Sequence, residues 1–435
     1  MSKQKVHFEA LGYEPQRMKP VHFATGFFLS LTGQNFSLEW LNKAAVTKHK
    51  EGLREGYAHD NLLSILRDQA SVEPAFTEGD LKVLRTQING VADNDDGVHA
   101  AFRPYSTFGN DYTLVSDRFL ASQKRLDGYA GHLVHKVMEK SDEGQRILKF
   151  ASQCITRHGT PLERLMEPLM DKDEDAVPWN NRYPEIFGDL TDQRLNAIAS
   201  MMKSQTGAIL RMCTNLENDA SHQTQLRWLV IGLCSWIFLY LQKSVGSDGA
   251  TPLIVMDFLG GENQRLRTQS RSCFTRQREL FFGSYQKKWE AGKMNCSEDD
   301  FEEIKKTRFK FLEQHFSDLA VRIGFAQPRA AQARRKHFEL QPDTARVLVT
   351  SVIKPGEIKK LSDLAQALRT TWGVCFGGCD DDQSILQANG YTGLDQDADL
   401  EPNTSAFIDL LKRLNLAIEP SDGLVLCAAH PEALL

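Results

Sequence analysis

Two pairs of soft metal ligands stand near the C-terminus: Cys375 and Cys379 in TWGVCFGGCDDD, and Cys427 and His430 in LCAAH. Four such side chains converging on one point could hold a tetrahedral zinc ion. Their spacing argues for less. The first pair is C-x3-C where C-x2-C is usual, and the second is C-x2-H at a chain end. Cys427 alternates with Val425 in a strand-like run, the position of a plain core cysteine. Gly377 and Gly378 are read as ending a helix after Trp372, with Cys375 packed and the aspartates opening an exposed loop. A packed turn without zinc is the expectation, and zinc on these four residues is the alternative.

A hydrolytic site is the second chemistry to weigh. Asp343, after a proline, and Glu357 and Lys359, in a Glu-Ile-Lys run, supply two carboxylates for Mg²⁺ and a lysine for the scissile phosphate. Such an E-x-K belongs in a strand, yet PGEIKKLS reads as a turn entering a helix. A second Glu-Ile-Lys, Glu303 to Lys305, falls in a charged helical stretch, so the tripeptide arises without a site. His132 and His135 lie three apart on a helix, but no third ligand is suggested nearby, and two ordinary helix histidines are expected. DQDADLE, 395–401, alternates acids as a calcium loop does. Leu400 stands where that loop needs glycine and Ala406 where it needs glutamate, so an acidic loop is expected. No Walker A loop, G-x-G-x-x-G, H-E-x-x-H or G-x-S-x-G is present.

Charge gives the clearest binding signal. Residues 261–340 hold 17 Lys and Arg against 11 Asp and Glu, a net of +6. Arg267, Arg271 and Arg278 fall on one helical face, with Arg265, Arg276, Lys287 and Lys288 near it and Arg334, Arg335 and Lys336 in the connector that follows. Phe274, Tyr285 and Trp289 are interleaved with them. Arginines neutralise phosphates and rings stack on bases, which makes DNA or RNA the expected partner. The competing reading is a solvated helix whose aromatics enter the core. Residues 375–435 are the opposite: 11 acids face only Lys412 and Arg413, a net of -9.

The elements that must position these residues are mainly helical. Ser116 is a candidate N-cap for a helix carrying Phe119, Leu126, Leu133 and Val137 at helical spacing. Leu195, Ile198, Met202, Ile209 and Met212 repeat the pattern. Trp228 to Leu241 is an apolar run of 14 residues. It is shorter than the roughly 18–20 that span a bilayer, so a helix buried in a large core is expected and no membrane association. Two long amphipathic helices are predicted between 261 and 340. After them, 343–353 is a short apolar helix or strand and 361–373 a helix with Leu361, Leu364, Ala367 and Leu368 inward. Residues 403–416 form a helix capped by Asn403 or Ser405, with Phe407, Leu410, Leu411 and Leu414 apolar. Two short apolar runs around Pro-Ser-Asp-Gly then signal a hairpin. Three helices and a hairpin in that order is the plan of a winged helix.

The segments KPGEIKKLSDLAQALRTTWGVCFGG and NTSAFIDLLKRLNLAIEPSDGLVLC resemble the winged-helix tails of uncharacterised bacterial proteins, some encoded among antiphage-defence genes. The resemblance covers about a fifth of the chain and carries no catalytic motif. It implies a component of a bacterial cytosolic multi-protein system. Composition agrees with a globular protein: 435 residues, 41% hydrophobic and 25% charged, net charge -5. Eight scattered cysteines fit free thiols in a reducing cytoplasm. The expected fold is mainly α, in three parts: a helical domain 1–250, a basic helical region and connector 251–340, and a winged-helix-like α+β domain 341–435. The expected function is that of a non-catalytic subunit binding nucleic acid through the basic helix and a partner protein through the acidic C-terminal domain. A repelling charge of that size rules against a DNA-reading winged helix.

Overall fold

Apolar residues at helical spacing account for most of the architecture, which is mainly α in this computed structural model. It describes residues 11–13, 20–32, 130–156, 190–217, 222–244, 250–291, 312, 314–328, 335–420 and 423–434. The predicted helix start at Ser116, with Phe119 and Leu126, lies outside them. Six described helices precede the first strand: α1 (Pro20–Thr32), α2 (Ala130–Met138), α3 (Asp142–Thr156), α4 (Asp192–Met201), α5 (Lys203–Leu216) and α6 (His222–Lys243).

Helix α6 is apolar all round, the pattern of a helix enclosed by protein. Leu229, Leu233, Trp236, Ile237 and Leu241 are fully buried, and α1, α3, α5 and α8 (Pro342–Val352) pack around it. At 22 residues it exceeds the 14-residue apolar run and is long enough to cross a membrane, but it is enclosed in the core. Helices α1 and α2 meet backbone to backbone at Gly26 and Gly131. A Cβ on Gly131 would lie 2.3 Å from the Phe23 carbonyl oxygen, so only glycine permits that approach. The expected pattern from Leu195 to Met212 is two helices rather than one. Thr191 caps α4 by accepting from the Arg194 amide, and the chain breaks at Met202, whose side chain stays buried between them.

Strand β1 (Ile254–Val255) leads through a glycine loop into the 28-residue α7 (Gln264–Ala291). Helical turns at 314–322 and the antiparallel pair β2 (Ala326–Gln327) and β3 (His337–Phe338) follow. Then come α8, β4 (Ile358–Lys360), α9 (Leu361–Trp372), β5 (Val374–Cys375), α10 (Asp382–Ala388) and a single π-helical turn (Gln396–Leu400). The chain ends with α11 (Glu401–Arg413), β6 (Ala417–Ile418), β7 (Leu426–Ala428) and a last short 3-10 turn. Strands β4, β7 and β6 make an antiparallel sheet with β7 central; Lys359 and Ala417 both stand opposite Cys427. Residues 358–360, read from sequence as part of a turn entering a helix, are therefore an edge strand. The hairpin supplies their partner from nearly seventy residues away.

Helix α9 also ends differently from the sequence reading. Gly373, at φ +74°, closes it by donating to the Arg369 carbonyl, four residues ahead of the two glycines assigned that role. The chain then turns away into β5, which pairs in parallel with β1 (Ile254 with Val374, Val255 with Cys375). This pairing ties residues before 340 to residues after it. Helix α5 adds further ties. Asn215 Nδ2 donates to the carbonyls of Thr350 and Ile353, and Arg211 Nε to that of Ser351, which satisfies the buried C-terminal end of α8. One hydrophobic core runs from Leu11 to Ala429.

Candidate functional site

The CFGGCDDD turn is built around an arginine. Arg369, in the last turn of α9, forks onto both oxygens of Asp381 at 2.8 and 2.9 Å and also contacts Asp382 Oδ1. Asp382 is buried, and its Oδ2 accepts from the amides of Gly377 (3.0 Å) and Cys379 (3.3 Å). Cys379 Sγ donates to the Ser362 carbonyl. Burial, then the neighbouring Asp382, pushes the Cys379 thiol up to about 11, and burial alone pushes Cys427 to about 12. Cys375 lies in the β1–β5 pair and Cys427 in the other sheet. Among the described residues the one group of three ligand-type side chains is Cys379, Asp381 and Asp382, and Arg369 already occupies its carboxylates. Cys375, Cys379, Cys427 and His430 are not brought together.

The hydrolytic trio is divided as well. Asp343, in the first turn of α8, pairs with Arg227, while Glu357 follows the other end of that 11-residue helix, which is about 16 Å long. Glu357 bonds the Lys354 amide and pairs with Lys359 at 2.9 Å. His132 and His135 are core residues. Ser30 Oγ lies 2.8 Å from His132 Nδ1, and burial is the main force holding the two rings down to about 3 and about 4. In the acidic loop, Asp395 accepts from the amides of Asp397 and Ala398, and Asp399 accepts from Asn263 Nδ2 at 2.7 Å. Its carboxylates fasten the loop to the start of α7.

The basic helix divides by face. Phe274 and Tyr285 are buried, Phe274 against Phe316 and Phe338 and Tyr285 against Phe281. They enter the core and are withdrawn from any base, which corrects the stacking expectation. The side chains of Trp289 and Lys288 are not described, and Arg334 lies outside the described residues. Lys336 is buried and donates to the Pro328 carbonyl, so it is no surface cation. Arg276 is exposed but committed to the Asn389 carbonyl (2.8 Å) and the ring of Tyr391. Arg265, Lys287 and Arg335 are exposed, and Arg267, Arg271 and Arg278 half-buried.

Three of these cations gather. Burial first, and then the charges of Arg267 and Arg335, lower the pKa of Arg271; Asp257 is the carboxylate that opposes the shift. Arg267 reaches back across the loop from β1, its Nη1 3.4 Å from the Gly260 carbonyl. A Cβ on Gly261 would collide with that guanidinium at 1.6 Å, and Gly260 and Gly261 both hold positive φ. Beneath lies Asp257, fully buried, with its pKa raised chiefly by burial; the neighbouring His337 opposes the rise. The amides of Leu259 and Gly261 face this carboxylate. Leu259 closes a 3.0 Å bond to Oδ1, while Oδ2 lacks a partner of hydrogen-bond geometry. His337, also buried, bonds Glu339 through Nε2 at 3.0 Å and leaves Nδ1 unpaired.

Sequence reasoning missed Asp257, His337 and Asn403. Asn403 is fully buried at the start of α11: Oδ1 accepts from the Phe258 amide, and Nδ2 donates to the carbonyls of Met256 and Phe376. The sequence makes Asn403 or Ser405 the helix cap; Asn403 instead fastens α11 to both strands of the β1–β5 pair. The one available signal was a lone aspartate after an apolar strand, VMDFLGGEN, leading through two glycines into a basic helix.

Compared with protein-family models, with curated proteins and with solved structures, the chain matches none.

Proposed function

We propose that the chain is a non-catalytic subunit of a DNA-associated complex. It binds the nucleic-acid backbone through the arginine face of α7 and a partner protein through the acidic surface of residues 341–435. The observation that supports the reading most is the gathering of Arg267, Arg271 and Arg335, with Arg265 and Lys287 exposed on the same helix. Like charges held together favour an anionic partner. With Phe274 and Tyr285 withdrawn into the core, the contacts left are to phosphates, which carry little sequence information.

The winged-helix-like reading of 341–435 is supported by α8, α9 and α11 beside the β4–β7–β6 sheet, with α10 inserted between α9 and α11. Helix α11 is a poor reader of DNA, because Asn403 and Phe407 at its start are committed to the ends of β1 and β5. The net of -9 from 375 to 435 suits a basic protein surface instead. The sequence resemblance supports a bacterial cytosolic setting among antiphage-defence genes.

The test is charge reversal, Arg267→Glu with Arg271→Glu, followed by fluorescence anisotropy with several unrelated duplexes over a salt series. Affinity is expected to fall alike for all of them, and the salt slope to drop by about 2, roughly 0.9 for each lost phosphate contact. Equal affinity and slope in the double variant would refute the reading. For the partner, Asp397→Lys with Asp409→Lys changes only exposed acids and should remove a stoichiometric companion that co-purifies with the natural chain.

A further inference from the structure

We infer that the β4 edge of the β4–β7–β6 sheet is a docking site for an acidic segment of another protein, which adds to it in extended form as a fourth strand. The site is separate from the acidic surface proposed above and does not depend on it. Three features of the sheet carry it. The first is the register. The Leu361 amide donates to the Val425 carbonyl, so the residues that exchange bonds are 361 with 425 and, two back, 359 with 427. Ile358 and Lys360 alternate with them, and their backbone groups point away from β7. The Lys360 carbonyl is taken by the first turn of α9, whose N-cap it is. That leaves the Ile358 amide and carbonyl and the Lys360 amide along an open edge, two donors and an acceptor for an incoming strand.

The second feature is the face beside that edge. Side chains alternate along each strand. Cys427 and Ala417 turn into the core and are buried, while Ile358, Ile418 and Leu426 turn the other way, with Leu424 on the same side just before β7. Ile358 and Leu424 are 49% and 42% exposed, two of the three exposed large hydrophobics among the described residues. Leu426 and Ile418 are half-buried and lie outside the core cluster. Ala428 on this side is buried, and the last 3-10 turn packs on β6 and β7, so the open part of the face is these four aliphatic side chains. Aliphatic groups gathered on one exposed face mark an interaction surface. The third feature is charge. Residues 354–360 hold three lysines and one glutamate, a net of +2, in contrast to the net of -9 from 375 onward. Glu357 pairs with Lys359 and lies near Lys354, which leaves Lys360 exposed without an ion pair among the described residues. A second copy of the chain is a poor occupant, because β4 paired antiparallel with itself would set Lys359 against Lys359. A strand that carries aliphatic residues and acids in alternation satisfies the edge, the face and the lysines together.

The probe is a short fluorescein-labelled peptide alternating valine with glutamate, compared with a counterpart that has lysine for glutamate, both added to the full chain. Anisotropy is expected to show the glutamate peptide bound and the lysine peptide about tenfold weaker. Hydrogen exchange should slow at 358–360 when the glutamate peptide is present. Lys360→Glu, at an exposed side chain, should weaken that peptide about three- to tenfold, by turning an attractive cross-strand pair into a repulsive one. Ile358→Pro removes an outward donor without touching a β4–β7 bond and should weaken it at least as much. If the proline variant loses its fold, Lys360→Glu carries the test alone. Equal binding of the two peptides, binding of neither, undiminished affinity in Lys360→Glu, or exchange that slows elsewhere and not at 358–360 overturns the site. So does sedimentation of the chain alone as a dimer that Ile358→Pro dissociates, which gives the edge to a second copy.

Discussion

Replacing Asn403 with alanine tests how the C-terminal segment is held to the rest of the fold. The side chain makes three buried hydrogen bonds: 2.7 Å from the Phe258 amide, 3.0 Å to the Met256 carbonyl and 2.9 Å to the Phe376 carbonyl. Met256 and Phe376 are themselves almost wholly buried. Alanine leaves one amide and two carbonyls without a partner, in a place where the phenyl rings of Phe258, Phe376 and Phe407 crowd out water. Each stranded group costs about 1–3 kcal/mol, and since neighbouring losses are not fully additive, the total is about 3–6 kcal/mol. Aspartate is nearly isosteric but cannot donate when ionised. It keeps the bond from Phe258 and sets a negative oxygen against two carbonyls, so it should be no better than alanine at neutral pH. The measurement is urea unfolding by circular dichroism, with limited proteolysis to find where the chain opens first. Early cleavage between 373 and 400 is expected, because the β1–β5 pair and α11 lose their common tie. A loss below about 1 kcal/mol for Asn403→Ala, with an unchanged cleavage pattern, would mean that water or a shifted side chain replaces all three bonds.

Three further outcomes follow from the same structure. His132 and His135 titrate at about 3 and about 4 when folded, below the ordinary 6.5, so the unfolded chain binds their protons first. Their contribution is complete above pH 6.5 and is lost as pH falls below it, by about 2 kcal/mol per ring at pH 5. Melting temperatures from pH 7 to 5 should therefore fall less steeply in His132→Asn, and an identical slope would contradict the assignment. Gly373→Ala places a Cβ 2.0 Å from the Pro252 carbonyl at a φ of +74°, and a loss of about 2–4 kcal/mol is expected in chemical denaturation. Arg369→Met strips the partner from the buried Asp382 and should cost about 3–5 kcal/mol, far more than Asp381→Asn at the exposed acid; equal losses would show that Asp382 is not the critical anion.

The sequence by itself determined the elements whose cause is local. Apolar residues at a spacing of three and four are enough to mark α9, α11 and the helical stretch of α4 and α5, though not the break at Met202 between them, because a helix satisfies its own backbone and needs only one face buried. An all-apolar stretch likewise announced α6 as a core helix. The hairpin at the end was legible from its turn residues, and β6 and β7 pair antiparallel around them, but β4 and α10 were not legible. The tertiary structure decided what depends on distant partners. Residues 358–360 become a strand only because β7 lies beside them. Gly373, and not Gly377, ends α9 because the chain must turn there to reach β1. The aspartates of CFGGCDDD are held by an arginine a dozen residues earlier on α9, and no spacing rule marks that pairing. The basic helix shows the division most plainly. Its net charge was countable in the sequence, but which residues face water was not. Phe274, Tyr285 and Lys336 turned inward, while Arg267, Arg271 and Arg335 were drawn together above Asp257 and His337. Hydrophobic burial chooses a helix face by the whole core it joins, and charge follows wherever that rotation leaves it.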